Sequence, residues 1–337
     1  ATMHRFDNRK RARVLRPRLF AAATALLALG EGLFAQQTPP RKEQLARDGE
    51  TPIFTSDTRL VQLHATVVDK NGHLVTDLPQ KAFKVYENGV EQPLKLFKRE
   101  DVPVSLGLIV DNSGSMRPKR LKVEAAALQL VKASNPEDEV FIVNFNDEAF
   151  LDQPFTSDIK ELQAGLSKID SRGGTAMRDA VRMSIDYLKE NGKRDKKILL
   201  VVTDGNDNNS TGTLENLVKA AQQSEVLVYS IGLLSEEDRR EGRKAKRALD
   251  AIAEATGGQS YYPKELADVD KVAVQVAHDI RNQYVLGYSP TNQVLDGSYR
   301  QIKVNANGPN RPVVRTRSGY YATPQGARSS ATPKPSL

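Results

Sequence analysis

Val104-Ser105-Leu106-Gly107-Leu108-Ile109-Val110, running into Asp111-Asn112-Ser113-Gly114-Ser115-Met116, is the stretch on which the fold turns. A mostly apolar run without period-two alternation suits a strand buried on both faces, as in a parallel sheet covered by helices. The abrupt change to Asp, Asn, Ser and Gly marks the strand end and the start of a loop. Short apolar runs recur at Val140–Phe145, Ile198–Val202 and Val226–Ile231. Between them apolar residues return at helical spacing: Leu121, Ala125, Leu128 and Val131, then Val181, Ile185 and Leu188, then Leu214, Leu217, Val218 and Ala221. A further helix is built on Leu249, Ile252 and Ala253, with Gly257-Gly258 as its stop, and a last one on Val269, Val272, Val276 and Ile280. Strand–helix alternation of this kind predicts an α/β, doubly wound, mostly parallel sheet of Rossmann-like form over residues 103–282.

Outward from this region the chemistry changes. Leu60–Val68 is rich in β-branched residues, Asp69–Gly72 is a turn, and Phe83–Tyr86 leads into Asn88-Gly89, a strong hairpin signal. Tyr284–Tyr288, Tyr299–Val304 and Val313–Arg317 are further strand candidates. Neither flank alone supplies enough strands for an independent core. Residues 53–100 and 283–322 are therefore expected to pack together as one β-rich, sandwich-like unit with the α/β domain inserted in it. The alternative is two unrelated β appendages.

Ligands of doubly wound sheets bind at the carboxyl ends of the strands. Asp111-x-Ser113-x-Ser115 places a carboxylate and two hydroxyls on one such loop, and Gly114 lets the backbone turn tightly between the serines. Gly173-Gly174-Thr175 and Thr203-Asp204-Gly205 reach the same edge. Asp111, Ser113, Ser115, Thr175 and Asp204 together offer two carboxylates and three hydroxyls. These are hard oxygen donors of the kind Mg²⁺ accepts, with room for water or an outside ligand. The plainer reading is that they are helix caps and polar turns, since Ser and Asp are ordinary N-cap residues. The three segments in concert favour the metal.

The three motifs together resemble the metal-ion-dependent adhesion site of von Willebrand factor type A domains, over about residues 103–281. The resemblance implies Asp111, Ser113, Ser115, Thr175 and Asp204 as the site residues, with Mg²⁺ or Mn²⁺ as the cation. It also implies a protein ligand whose acidic side chain completes the coordination. In the family, ligand capture can couple to movement of the last helix, here about Glu265–Arg281. The flanks, from Val67-Val68-Asp69 to Tyr86-Glu87-Asn88-Gly89 and at Arg317-Ser318-Gly319-Tyr320-Tyr321, are similar to bacterial von Willebrand factor A-related proteins common in Acidobacteria.

Bulk properties narrow the class. The 337 residues carry a formal charge of +7, but seven Lys/Arg and two acids lie in residues 1–35. The remainder holds 42 basic and 40 acidic residues, which excludes a basic nucleic-acid binder. The absence of cysteine excludes disulfides, zinc thiolates, a Cys nucleophile and a lipid-anchoring cysteine. Arg5–Arg18 is basic and Leu19–Gly30 is apolar, and Ala35 suits a cleavage site. Residues 1–35 are expected to be a signal peptide of an exported protein, since twelve apolar residues fall short of the about 20 that span a membrane. An uncleaved anchor is the alternative. No later stretch is apolar enough to span. Residues 36–52 and 323–337 are expected to be a disordered linker and tail.

Other features read as structural. Asp207-Asn208-Asn209 lacks the calcium-loop spacing and is expected to be an Asx-rich turn. Arg239–Arg247 is expected to be a solvated face. His64, His73 and His278 form no metal-ligand or catalytic pattern. An exported, non-enzymatic binding module is thus the leading expectation. A metal-independent envelope component and a metal-dependent phosphate-ester hydrolase are the rivals.

Overall fold

The computed structural model describes residues 59–99, 101–168, 171–205, 207–234 and 239–324. The expected signal peptide and linker lie outside these residues, as does nearly all of the expected tail. The chain enters through β1 (Val61–Val68), β2 (Phe83–Glu87), β3 (Val90–Gln92) and β4 (Leu94–Lys98). An α/β region follows: β5 (Val104–Asp111), α1 (Arg120–Lys132), β6 (Glu139–Phe145), β7 (Ala149–Thr156), α2 (Ile159–Ser167) and α3 (Met177–Asn191). It continues through β8 (Lys196–Thr203), α4 (Leu214–Ser224), β9 (Leu227–Gly232), α5 (Arg239–Thr256), β10 (Ser260–Tyr261) and α6 (Val269–Arg281). The last strands are β11 (Tyr284–Tyr288), β12 (Tyr299–Ala306), β13 (Val313–Arg315) and β14 (Gly319–Tyr321).

The α/β region has a six-stranded sheet in the order β10-β9-β8-β5-β6-β7. All pairs are parallel except β6–β7. Every residue of β5 is buried, because helices cover both faces. On one face α1, α2 and α6 bring Val123, Leu130, Leu162 and Val276 onto Leu106, Leu108 and Ile142. On the other, α3, α4 and α5 bring Val181, Ile185, Leu217 and Ile252 onto Ile109, Phe141 and Leu199. Gly107 is required where β5 meets β6 side chains, since a Cβ there would lie 2.4 Å from the Phe141 ring. The doubly wound, mostly parallel sheet expected from the sequence is therefore the observed architecture.

One helix turns a different face inward. The spacing in α1 points to Leu121, Ala125, Leu128 and Val131, yet Leu121 is 81% exposed and the buried set is Val123, Ala126, Ala127 and Leu130. Apolar residues occur nearly all round this helix, so periodicity alone selects no face. Packing against the sheet and α6 decides it. Strand β7, antiparallel at the sheet edge, and α2 behind it were not anticipated. The β7 sequence is half polar, as an edge strand with an exposed side permits.

The remaining strands form two antiparallel four-stranded sheets, β13-β1-β11-β4 and β14-β12-β2-β3. Strand β1 pairs with β11 and β13, and β12 pairs with β2, so segments before and after the α/β region share both sheets. Their inner faces enclose Leu63, Ala65, Val67, Val85, Leu286, Tyr288 and Ile302. Asn88 and Gly89 adopt φ of 48° and 81°, the left-handed pair that a two-residue hairpin needs. Glu87 is buried between the sheets, where Tyr288 and Tyr320 donate to its Oε2 at 2.7 and 2.9 Å.

These sheets adjoin the α/β region at the amino ends of its strands. Gly257, at φ 86°, ends α5, and a Cβ there would meet the Arg317 backbone nitrogen at 2.5 Å. Gln283 donates to both Thr66 Oγ1 and Tyr229 OH, at 3.0 and 3.1 Å. The carboxyl ends of the parallel strands stay uncovered by the β sheets. Among the described residues, no helix is long and apolar enough to cross a membrane.

Candidate functional site

Asp111 is the last residue of β5. The Asn112 amide donates to the Phe145 carbonyl at 2.6 Å, which bends the loop over the end of β6. Asp111 is 1% exposed and both its oxygens are engaged. Oδ1 accepts from the Ser113 amide at 2.8 Å, and Oδ2 accepts from Thr203 Oγ1 at 2.5 Å. Ser113 precedes the short 3₁₀ turn Gly114–Met116, but its side chain makes no capping bond there. Its Oγ instead lies 3.2 Å from Ser115 Oγ, and Ser115 Oγ donates to Asp204 Oδ1 at 2.8 Å. Asp111, Ser113, Ser115 and Asp204 are thus hydrogen-bonded in series across the ends of β5 and β8, the first step through the Ser113 amide and the others between side-chain oxygens.

Thr175 arrives from a third loop. The Gly114 amide donates to the Gly173 carbonyl at 3.2 Å, which ties this loop to the serine loop. The Gly174 amide donates to Asp147 Oδ1 at 2.7 Å, and the Thr175 amide donates to Asn208 Oδ1 at 2.9 Å. The Thr175 carbonyl accepts from Asn208 and Asn209 at 3.1 and 3.2 Å. Thr175 is buried and is not the cap of α3, which begins at Met177 after Ala176. Capping there falls to Asp207, which accepts from the Arg178 amide at 2.7 Å. Asp207–Asn209 is accordingly an Asx-rich turn that steadies the threonine loop.

Charge at the site is unbalanced toward the negative. Burial pushes the Asp111 carboxyl up to about 6, the nearby Asp204 charge adds to this, and the bonds from Thr203 and Ser113 oppose it. A carboxylate held this far from water gains from a cation beside it. One cation is present: Lys119 Nζ lies 2.5 Å from Asp204 Oδ2. The described residues hold no cluster of three or more His, Cys, Asp or Glu side chains. The donor set is therefore mixed hydroxyl and carboxylate, all oxygen, which suits a hard divalent ion rather than zinc or copper.

Three contributors escaped the sequence reading. Thr203 sits beside Asp204 in the same motif, and its hydroxyl orients Asp111. Asn208 holds the threonine loop. Lys119 has a visible signal, a basic residue where a helix N-cap would be expected.

The family model for the von Willebrand factor type A domain matches residues 106–206, so the likeness to that domain holds over that span. A stretch of 116 residues, 31% of the chain, is 23% identical to the bovine (Bos taurus) inter-alpha-trypsin inhibitor heavy chain H4. That stretch spans only 13% of the bovine protein. Among solved structures, a von Willebrand factor type A protein from Catenulispora acidiphila aligns over 80% of this chain and 75% of its own, at 13% identity and TM-score 0.47. The conserved hypothetical protein BatB from Bacteroides thetaiotaomicron aligns over 52% of this chain and 98% of its own, at 22% identity and TM-score 0.44.

Proposed function

We propose that this protein is an exported, non-enzymatic binding module whose cation site lies at the carboxyl end of the parallel sheet. Asp111, Ser113, Ser115, Thr175 and Asp204 hold Mg²⁺ or Mn²⁺, directly or through water, and an acidic side chain of a partner protein completes the coordination. The observation that carries this reading is the run Asp111–Ser113–Ser115–Asp204. It gathers carboxylate and hydroxyl oxygens at two strand ends, with Asp111 tied in through the Ser113 amide and Asp204 through Ser115 Oγ, and Asp204 already attracts one cation, Lys119.

Hydroxyl ligands support the partner role. They neutralise less of the metal charge than carboxylates do, so the ion stays electrophilic toward an incoming carboxylate. The family match supports an interaction module in the same way. A hydrolase that used histidine as its acid or base would need one within reach of the reacting group. The described histidines lie elsewhere: His64 in β1, His73 in the turn after it and His278 in α6. Export rests on the basic and apolar character of residues 1–35.

The test is thermal unfolding in chelator, Mg²⁺ and Mn²⁺, for the wild type and Asp111→Ala, followed by binding of Asp- or Glu-containing peptides with and without metal. A metal-dependent rise in melting temperature that vanishes in the variant is expected, with metal-dependent capture of the acidic peptides. Peptide binding that persists unchanged in excess chelator would overturn the metal-bridged mechanism.

A further inference from the structure

We propose that Lys119 is the selectivity-determining residue of this site: its ammonium occupies Asp204 as a built-in monovalent competitor, which a divalent ion displaces and a monovalent ion does not. This rests on the divalent-cation reading above and extends it to which cations enter.

The local sequence logic argues against a lysine at this position unless it acts elsewhere. Lys119 is the N-cap of α1, yet its side chain makes no capping bond, and the first turn of the helix carries no acid. Ser, Thr, Asp and Asn are the preferred N-caps, and a cation at a helix N-terminus opposes the helix dipole. The cost is offset because the side chain leaves the helix end and reaches Asp204, whose own side chain is almost wholly buried. The neighbouring cations are committed to other partners. Arg117 donates to the Ser171 carbonyl at 2.9 Å, Arg120 donates to Glu124 at 2.7 Å, and Lys122 pairs with Asp270. Among these basic residues of the loop and first turn, Lys119 is the one directed at Asp204.

Charge count then sets the selectivity. The tethered ammonium pairs with Asp204, and the second carboxylate, Asp111, has hydroxyl and amide donors only among its hydrogen bonds. A sodium ion that replaced it would bring the same charge, and the site would lose a partner whose tether keeps it at high local concentration. A divalent ion brings twice the charge to both Asp111 and Asp204 and keeps hydroxyl and water ligands. Exchange therefore favours the divalent ion, and it frees the Lys119 amine to solvent.

The experiment titrates Mn²⁺ into the full chain by calorimetry, for the wild type, Lys119→Met, Lys119→Arg and Asp111→Ala. In parallel, Lys119 acylation by an amine reagent is followed by peptide mass mapping. Lys119→Met is expected to bind Mn²⁺ about tenfold tighter, the scale of one partly buried ion pair, and to become more sensitive to NaCl. Lys119→Arg, which keeps the charge, is expected to stay close to wild type and serves as the folding control. Mn²⁺ should raise Lys119 acylation in the wild type and leave it unchanged in Asp111→Ala. Equal Mn²⁺ affinity in wild type and Lys119→Met, or acylation that does not rise while Mn²⁺ binds, would overturn the exchange and leave the cation site standing. No Mn²⁺ binding to either protein would instead overturn the cation reading itself.

Discussion

The two ends of the parallel sheet both bury charge and resolve it in opposite ways. At the amino end, Asp138 accepts from the Val104 and Asn135 amides at 2.8 and 3.0 Å and pairs with Arg281 at 2.6 Å. Beside it Lys196 is buried with its Nζ on the Ile280 carbonyl. Arg281 also pairs with Asp101, and its guanidinium is held in place by both acids. At the carboxyl end, Asp111 accepts from the Ser113 amide and the Thr203 hydroxyl, and Asp204 accepts from Ser115 and pairs with Lys119. A guanidinium paired with two acids closes one end, whereas in our proposal the ammonium at the other gives way to a cation. On that proposal, buried charge is structural where its partners are fixed and available to a ligand where they can be replaced.

The largest expected effect tests the closed end. Asp138→Ala removes one of the two acids of Arg281 and leaves two amides without their acceptor, so denaturant unfolding should show a loss of about 3–5 kcal/mol. Asp111→Ala in chelator should cost clearly less, because it relieves a like-charge neighbour. A comparable loss at both ends would break the contrast.

At the open end the expected effect of metal is next in size. At about 100 times its dissociation constant, a ligand specific to the native state adds roughly 2.7 kcal/mol. That gain should be present in the wild type and absent in Asp111→Ala, read from melting temperature with and without Mn²⁺.

A pH-dependent effect, about 1 kcal/mol for each pH unit, belongs to Lys196. Burial first, then the Arg281 charge, lowers its amine from 10.5 to about 7. Between about pH 7 and 10.5 the unfolded chain holds a proton that the native state has released, so stability rises with pH in that window. The gain is lost progressively as pH falls from about 10.5 and is gone below about 7. Urea unfolding at stepped pH should give a slope of about 1 kcal/mol per pH unit in the wild type. That slope should flatten in Lys196→Met, and an unchanged slope would reassign it. The least effect is expected from Glu225→Gln, which removes an exposed pair with Arg317 at 3.4 Å. Thermal unfolding should change by less than about 0.5 kcal/mol.

Much of the α/β region was legible because its signals are local. Apolar runs made the central strands recognisable, and changes to Asp, Ser, Thr and Gly marked the ends where the candidate residues sit. Gly257 was legible as a helix stop. The inward face of α1 was not, since Leu121 and Leu130 are equally apolar and only neighbouring elements separate them. Nor was β7, whose half-polar sequence lacks the signature of its central neighbours.

By itself the sequence determined the alternation of strands and helices, the hairpin at Asn88-Gly89 and the residue types available to the site. These follow from side-chain volume, backbone preference and hydropathy within a few positions. Only the tertiary structure decided that β1 lies between β11 and β13, that Thr203 orients Asp111, and that Lys119 turns from its helix to Asp204. Each joins residues far apart in the chain, with separations of 92 for Thr203 and Asp111 and 85 for Lys119 and Asp204. Local preference carries no information across such distances. Packing of the whole sheet brings these groups together, and burial there makes their charges matter.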